Sequence, residues 1–148
     1  YKPVHEPHFS FALYPDGLQL ILLLEGKGPT KTAQSAIRAE RVRFHELLRK
    51  LEGYELEVWK RWNVRVQKFD AVPACRINID TLGSEDIEYL VDKMDALCRL
   101  NNGRGLFELR LVRTYSRTEP VLRTPELVQE IVGQMTKLSV VEGFLSGT

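Results

Sequence analysis

Trp59, Lys60, Arg61, Arg65 and Lys68 set an indole among cations within a short stretch of chain. An exposed aromatic ring stacked on a nucleobase contributes about 1–3 kcal/mol, and Lys or Arg contacts to phosphate add affinity that falls with salt. Arg38, Arg41 and Arg49, on the helix expected before this stretch, would extend the phosphate contacts. The chemistry is that of a nucleic-acid-binding surface. The plainer reading makes Trp59 a core residue and the cations an ordinary solubilising surface, since surfaces carry mixed charge.

A second place for chemistry is Gly26-Lys27-Gly28, between an expected strand and an expected helix. Free backbone N–H groups there form an anion nest, to which Lys27 and Lys31 would bring charge. The P-loop pattern is not matched, and a simple strand-to-helix connection has the same composition.

Glu25-Gly26-Lys27, with Pro15-Asp16 upstream, resembles the signature of the PD-(D/E)xK nucleases. The resemblance implies Asp16 and Glu25 as ligands of Mg²⁺ and Lys27 as the group that positions or activates water. The spacing opposes it. If 18–25 is one strand, Asp16 and Glu25 stand roughly 30 Å apart at about 3.3 Å per residue. A shared metal needs both carboxylates within about 2.5 Å of itself. Only a bend, or another acid such as Glu6, would restore the pair. His5, His8 and His45 lie at no zinc-ligand spacing, and no nucleophile elbow occurs. The leading expectation is therefore no catalytic residue, no bound metal and no cofactor, with Mg²⁺ entering only under the nuclease alternative.

These residues need elements to hold them. Tyr54, Leu56, Val58, Trp62, Val64 and Val66 share one parity, and Glu55, Glu57, Trp59, Arg61, Asn63 and Arg65 the other. Strand side chains alternate between faces, so 54–69 reads as a long strand, or a bent pair, with one buried face. Upstream, Phe9, Phe11 and Leu13 alternate as far as Tyr14-Pro15-Asp16-Gly17, which is type I turn chemistry. A hairpin of 8–14 and 18–25 follows, its second strand apolar on both parities and hence central. Ile37, Phe44, Leu47, Leu48 and Leu51 give a helix over 31–51, stopped by Gly53. Further on the pattern predicts a strand at 74–79 and a helix at 85–100 capped by Ser84. A strand at 106–113, a polar loop at 114–123 and a helix opened by Thr124-Pro125-Glu126 complete the chain. The order β-β-α-β-β-α-β-α implies an α+β fold, a mostly antiparallel sheet with helices packed on it.

Composition sets the class. At 148 residues, with 43% hydrophobic and 28% charged residues, the chain suits one globular domain rather than a disordered or fibrous one. The longest apolar run, Leu18 to Leu24, is far short of the ~20 residues of a membrane span. The start at Tyr1, without methionine or signal pattern, reads as a fragment of a larger parent chain. Cys75 and Cys98 read as reduced core residues, which places the protein in the cytoplasm. Net charge is only +1, yet residues 27–68 hold 11 Lys+Arg against 5 Asp+Glu, an excess of +6 that suits a phosphate-bearing partner.

The run Phe44-His45-Glu46-Leu47-Leu48-Arg49-Lys50-Leu51, then 54–62, then 74–80 and the acidic helix from Glu85 is similar to small α+β domains of unknown function found with restriction endonucleases and DNA methyltransferases. The likeness spans residues 9–100. The strand and helix at 106–138 and the Lys60-Arg61-Trp62 insert depart from it, and no functional residue carries over. It implies a DNA-defence or DNA-processing setting. Function is expected to be that of a non-catalytic nucleic-acid-binding or accessory domain with a DNA or RNA partner. The metal-dependent nuclease is one alternative. A protein-interaction or self-association domain, using Val140, Val141, Phe144 and Leu145, is the other.

Overall fold

Alternating apolar residues on three adjacent strands meet in register and define the buried side of a sheet. The computed structural model describes residues 7–61 and 72–147. Its five strands are β1 (His8–Tyr14), β2 (Gly17–Leu24), β3 (Tyr54–Arg61), β4 (Cys75–Asn78) and β5 (Leu106–Ser116). They run antiparallel in the order β1-β2-β5-β3-β4. Leu22, Leu111 and Leu56 lie side by side, as do Leu24, Leu109 and Val58, and all six are buried.

Among the described residues, four helices cover this side: α1 (Lys27–Ala39), α2 (Arg41–Leu48), α3 (Ser84–Gly103) and α4 (Leu127–Leu145). Each buries a stripe at helical spacing, such as Ile87, Leu90, Val91, Met94 and Leu97 of α3. Phe44 of α2 stacks on Phe144 of α4 with ring centroids 5.5 Å apart. The architecture is α+β, as the element order implies.

Several boundaries differ from the sequence expectation. The helix foreseen at 31–51 begins four residues earlier, at Lys27, and breaks at Glu40, whose φ of −135° and ψ of 56° leave the helical region. β5 runs on to Ser116, because Thr114 and Ser116 continue the pairing with Gln19 and Gly17. The last helix opens at Leu127 rather than beside Thr124, whose hydroxyl donates instead to the Val121 carbonyl. Of the strand foreseen at 54–69, the part to Arg61 is present, and residues 62–71 lie outside those described. Val141, Phe144 and Leu145, foreseen as a contact surface, are buried in the core because Phe44 packs on the end of α4, and of that set Val140 alone is exposed.

A polar clamp fixes α4 on the sheet. The Tyr54 hydroxyl donates to Gln134 Oε1 at 3.1 Å, Gln134 Nε2 donates to Glu130 Oε1 at 2.9 Å, and the Tyr115 hydroxyl donates to the same oxygen at 3.0 Å. Burial pushes both phenols up, Tyr115 to about 12, so both remain donors at neutral pH. The Gln134 amide, helped by Tyr115 and Arg113, holds the Glu130 carboxyl below the usual range, so it remains an acceptor. Tyr54→Phe removes the donor to a buried carbonyl oxygen. Its expected cost is about 1–3 kcal/mol in urea unfolding. A midpoint equal to wild type would show that the clamp does not hold α4.

Candidate functional site

The face of the sheet turned away from the helices carries charge where the other carries leucine. Cross-strand register places Trp59 beside Glu108, and Glu57 between Arg110 and Arg76. Arg61, at the end of β3, reaches Glu25, just past β2, with Nη2 3.3 Å from Oε2. Glu108 accepts from Arg110 Nε at 2.8 Å, and the Arg110 guanidinium lies 4.8 Å from the Trp59 ring centroid. Arg76 Nη2 donates to Glu57 at 3.3 Å, and Trp59 Nε1 donates to the same carboxylate at 3.4 Å.

This face is more enclosed than alternation alone suggests. The Glu108 side chain is 2% exposed and that of Arg61 is 7% exposed. Burial raises the Glu108 carboxyl above its usual range, only partly opposed by Arg110, while Glu25 adds to the rise and Arg61 offsets it. Glu108 Oε2 and Arg61 Nε have no hydrogen-bond partner among the described residues. The Arg61–Glu25 and Arg110–Glu108 pairs are thus largely internal to the fold, and a buried pair of this kind contributes less than its Coulomb attraction because desolvation opposes it.

The described residues foreseen as one nucleic-acid surface are therefore distributed over four places. Trp59 is half-buried under Arg110, and Arg61 is an internal ion-pair member rather than a surface cation. Lys60 falls on the opposite parity, paired with Phe107 on the helix-covered side. Arg38 meets Asp95, and Arg41 meets Glu88 at 3.5 Å, so both tie the helix pair α1 and α2 to α3. Arg49 lines an open groove with Glu52, Asp80 and Arg113. Arg65 and Lys68 lie outside the described residues. On the helix-free face Glu25, Glu55, Glu57 and Glu108 stand against Arg61, Arg76 and Arg110, so its described part has no positive excess.

The nuclease set is also separated. Asp16 lies in the turn before β2 and Glu25 just after it, at opposite ends of an eight-residue strand. Glu25 is paired with Arg61 instead. No group of three or more His, Cys, Asp or Glu able to hold a metal occurs among the described residues. Lys27 is the first residue of α1 and Lys31 stands one turn later, beside an open groove also lined by Ser35, Arg43 and Phe144. Cys75 and Cys98 are free thiols, and burial raises Cys75 to about 11, which keeps it protonated and unreactive. No described helix is long and apolar enough to cross a membrane.

One feature of the surface was not foreseen. Phe11 is 51% exposed, Leu13 85% and Tyr14 53%, all on β1 at the edge of the sheet. Phe11 pairs with buried Leu20 and Leu13 with Leu18, so both point to the helix side but lie past the helices. The strand is seven residues long and carries no Asp, Glu, Lys or Arg, a composition that central β2 shares. No family model, no curated protein and no solved structure matches the chain.

Two outcomes test the charged cluster. Arg61→Ala should cost about 3–5 kcal/mol, as breaking a buried pair does. Adding Glu25→Gln should recover much of that loss, and a cost for Arg61→Ala below about 1 kcal/mol would contradict the burial. For Glu108, the raised carboxyl means that the folded chain binds its proton more tightly than the unfolded one. Stability from this group therefore rises as pH falls from its folded pKa toward the unfolded value of about 4.3. Measured against Glu108→Gln, wild type should gain relative stability on acidification through that window, and the opposite slope would rule out the burial effect.

Proposed function

We propose that this domain is a non-catalytic accessory module that works by binding another protein surface, and that β1 is its working edge. The carrying observation is the exposure of Phe11, Leu13 and Tyr14 on an uncharged edge strand. An edge strand presents a row of unpaired N–H and C=O groups, and proteins normally blunt such edges with charge, proline or brevity. β4, the opposite edge, has such devices: four residues, Pro73 just ahead of it and the charged Arg76 within it. β1 is also bounded by prolines, Pro7 and Pro15, but it is seven residues long and carries no charge, so strand addition to this edge would supply both the hydrogen bonds and the apolar cover.

Nucleic-acid binding is the second reading. What favours it is Trp59 beside Arg110 on the helix-free sheet face, an indole and a guanidinium placed as a stacking platform would be. Against it stands the balance of charge on that face. The likeness to domains found with restriction endonucleases and DNA methyltransferases suits either reading, because subunits of such systems meet one another as well as DNA.

A photo-crosslinking amino acid at position 13, introduced into the chain in cells, separates these readings. The expected product is a protein adduct through position 13. An adduct at position 59 to nucleic acid, with none at position 13, would transfer the function to the helix-free face. Absence of adducts at position 13 under any condition would remove the edge from consideration.

A further inference from the structure

We infer that the occupant of the β1 edge is the β1 edge of a second copy of this chain, joined antiparallel about a two-fold axis at Phe11. The inference rests on the reading of β1 as the working edge. Three observations lead to it.

The first is self-complementarity of charge. His8 to Tyr14 carries no Asp, Glu, Lys or Arg, so two such strands meet without like-charge repulsion. A partner strand with a charge pattern of its own would find no counter-charge here.

The second is register. Phe9, Phe11 and Leu13 pair with Leu22, Leu20 and Leu18, which places all three on the helix side. A two-fold at Phe11 sets Phe11 against its counterpart, Phe9 against the partner's Leu13, and Ser10 against the partner's Ala12. The two apolar rows then share one face, whereas a slip by one residue would set apolar against polar. Pro7 and Pro15 bound the strand, so the centred register uses its full length.

The third is the flank of α4. Leu13, Leu18 and Tyr115 form one row, with Tyr115 bonded to Glu130, and Phe11, Leu20, Arg113 and Tyr54 form the next, with Tyr54 bonded to Gln134. Pro7, ahead of β1, shares a groove with Glu142 and Leu145. α4 therefore runs antiparallel to β1, and Glu142 marks the side facing it. At about 100° per residue, Met135, Ile131 and Val128 share that side, and Val128 is exposed. The α4 flanks of two copies would close over the joint and cover Phe11 and Leu13.

The size of this surface sets the strength. A fully covered aromatic buries ~150–250 Å², so Phe11, Tyr14 and Leu13 at these exposures offer roughly 300 Å² per copy, about 600 Å² per pair. That is about half the lower limit of ~1,200 Å² for specific interfaces, so the remainder must come from the backbone edge and the α4 flanks. The dimer is reversible rather than permanent.

Light scattering during size-exclusion chromatography, from about 1 μM to about 1 mM, should show a shift from monomer to dimer mass in wild type. Leu13→Lys should remain monomeric with an unchanged circular dichroism spectrum, since residue 13 is solvent-facing. Register is read separately in a Cys98→Ser background. Across the two-fold the paired Cα atoms stand about 4.5–5.5 Å apart, within the disulfide range. Phe11→Cys should therefore oxidise to a covalent dimer, and Val42→Cys, exposed on α2, should not. Wild type monomeric at about 1 mM overturns the inference. So does equal oxidation at positions 11 and 42. A monomer that still gives a crosslink from position 13 to a different protein refutes the second copy and leaves the working edge standing. Loss of that crosslink as well refutes both.

Discussion

β5 lies in the middle of the sheet with an antiparallel neighbour on each side, and its register decides which side chains meet everywhere else. Odd positions Phe107, Leu109 and Leu111 close the core, and even positions Glu108 and Arg110 build the charged face. A slip of one residue would carry Leu109 and Leu111 to the charged side and drive Glu108 and Arg110 under the helices. An uncompensated buried charge costs several kcal/mol, so the wrong register is excluded by electrostatics as firmly as the right one is favoured by apolar burial. The helix layer inherits that decision, because the clamp on α4 depends on Tyr115 and on Tyr54, whose partner across the ladder is Arg113 of β5.

The charged face illustrates why a buried ion pair is weak evidence for stability or for binding. Glu25, Arg61, Glu108 and Arg110 satisfy one another incompletely, with Glu108 Oε2 and Arg61 Nε left without a partner among the described residues. Their desolvation offsets much of their attraction. What they contribute instead is discrimination: Arg61 reaches Glu25 only when β3 and β2 flank β5 in the observed alignment. Cations that look available in a linear reading are consumed in this way. The same holds for Arg38 and Arg41, whose partners Asp95 and Glu88 come from α3.

Strand and helix periods were legible because burial on one side leaves a local signature. The two-residue turn at Pro15-Asp16, the α3 stripe from Ile87 to Leu97 and the Phe107-Leu109-Leu111 alternation all carry it. The break at Glu40 carries none, since the residues on both sides are compatible with helix. The candidate site was legible only by face. Parity put Trp59 and Arg61 together correctly, but whether that face met water depended on Glu25 and on Glu108 and Arg110 of β5, distant in sequence. For β1 the difficulty was of another kind. Phe9, Phe11 and Leu13 alternate as a core strand does, and nothing local separates an edge from an interior position.

The two edges of the sheet differ in a way that limits what assembly can do. α4, the helix nearest β1, packs on β2, so the helix layer is narrower than the sheet and stops short of Phe11 and Leu13. α3 covers the other end, packing on β3 and β4. An uncovered apolar edge usually invites open-ended stacking of strands. Here the described residues of each copy present a single edge of that type, because β4 is short and carries Arg76. An isologous β1–β1 contact uses the same edge of both copies, and the outer edges that remain are the two β4 strands. Growth then stops at two, whereas a heterologous contact between β1 and β4 would propagate. On the proposed pairing, the asymmetry of the edges, more than the apolar area of either, would keep an exposed strand of this kind from leading to fibres.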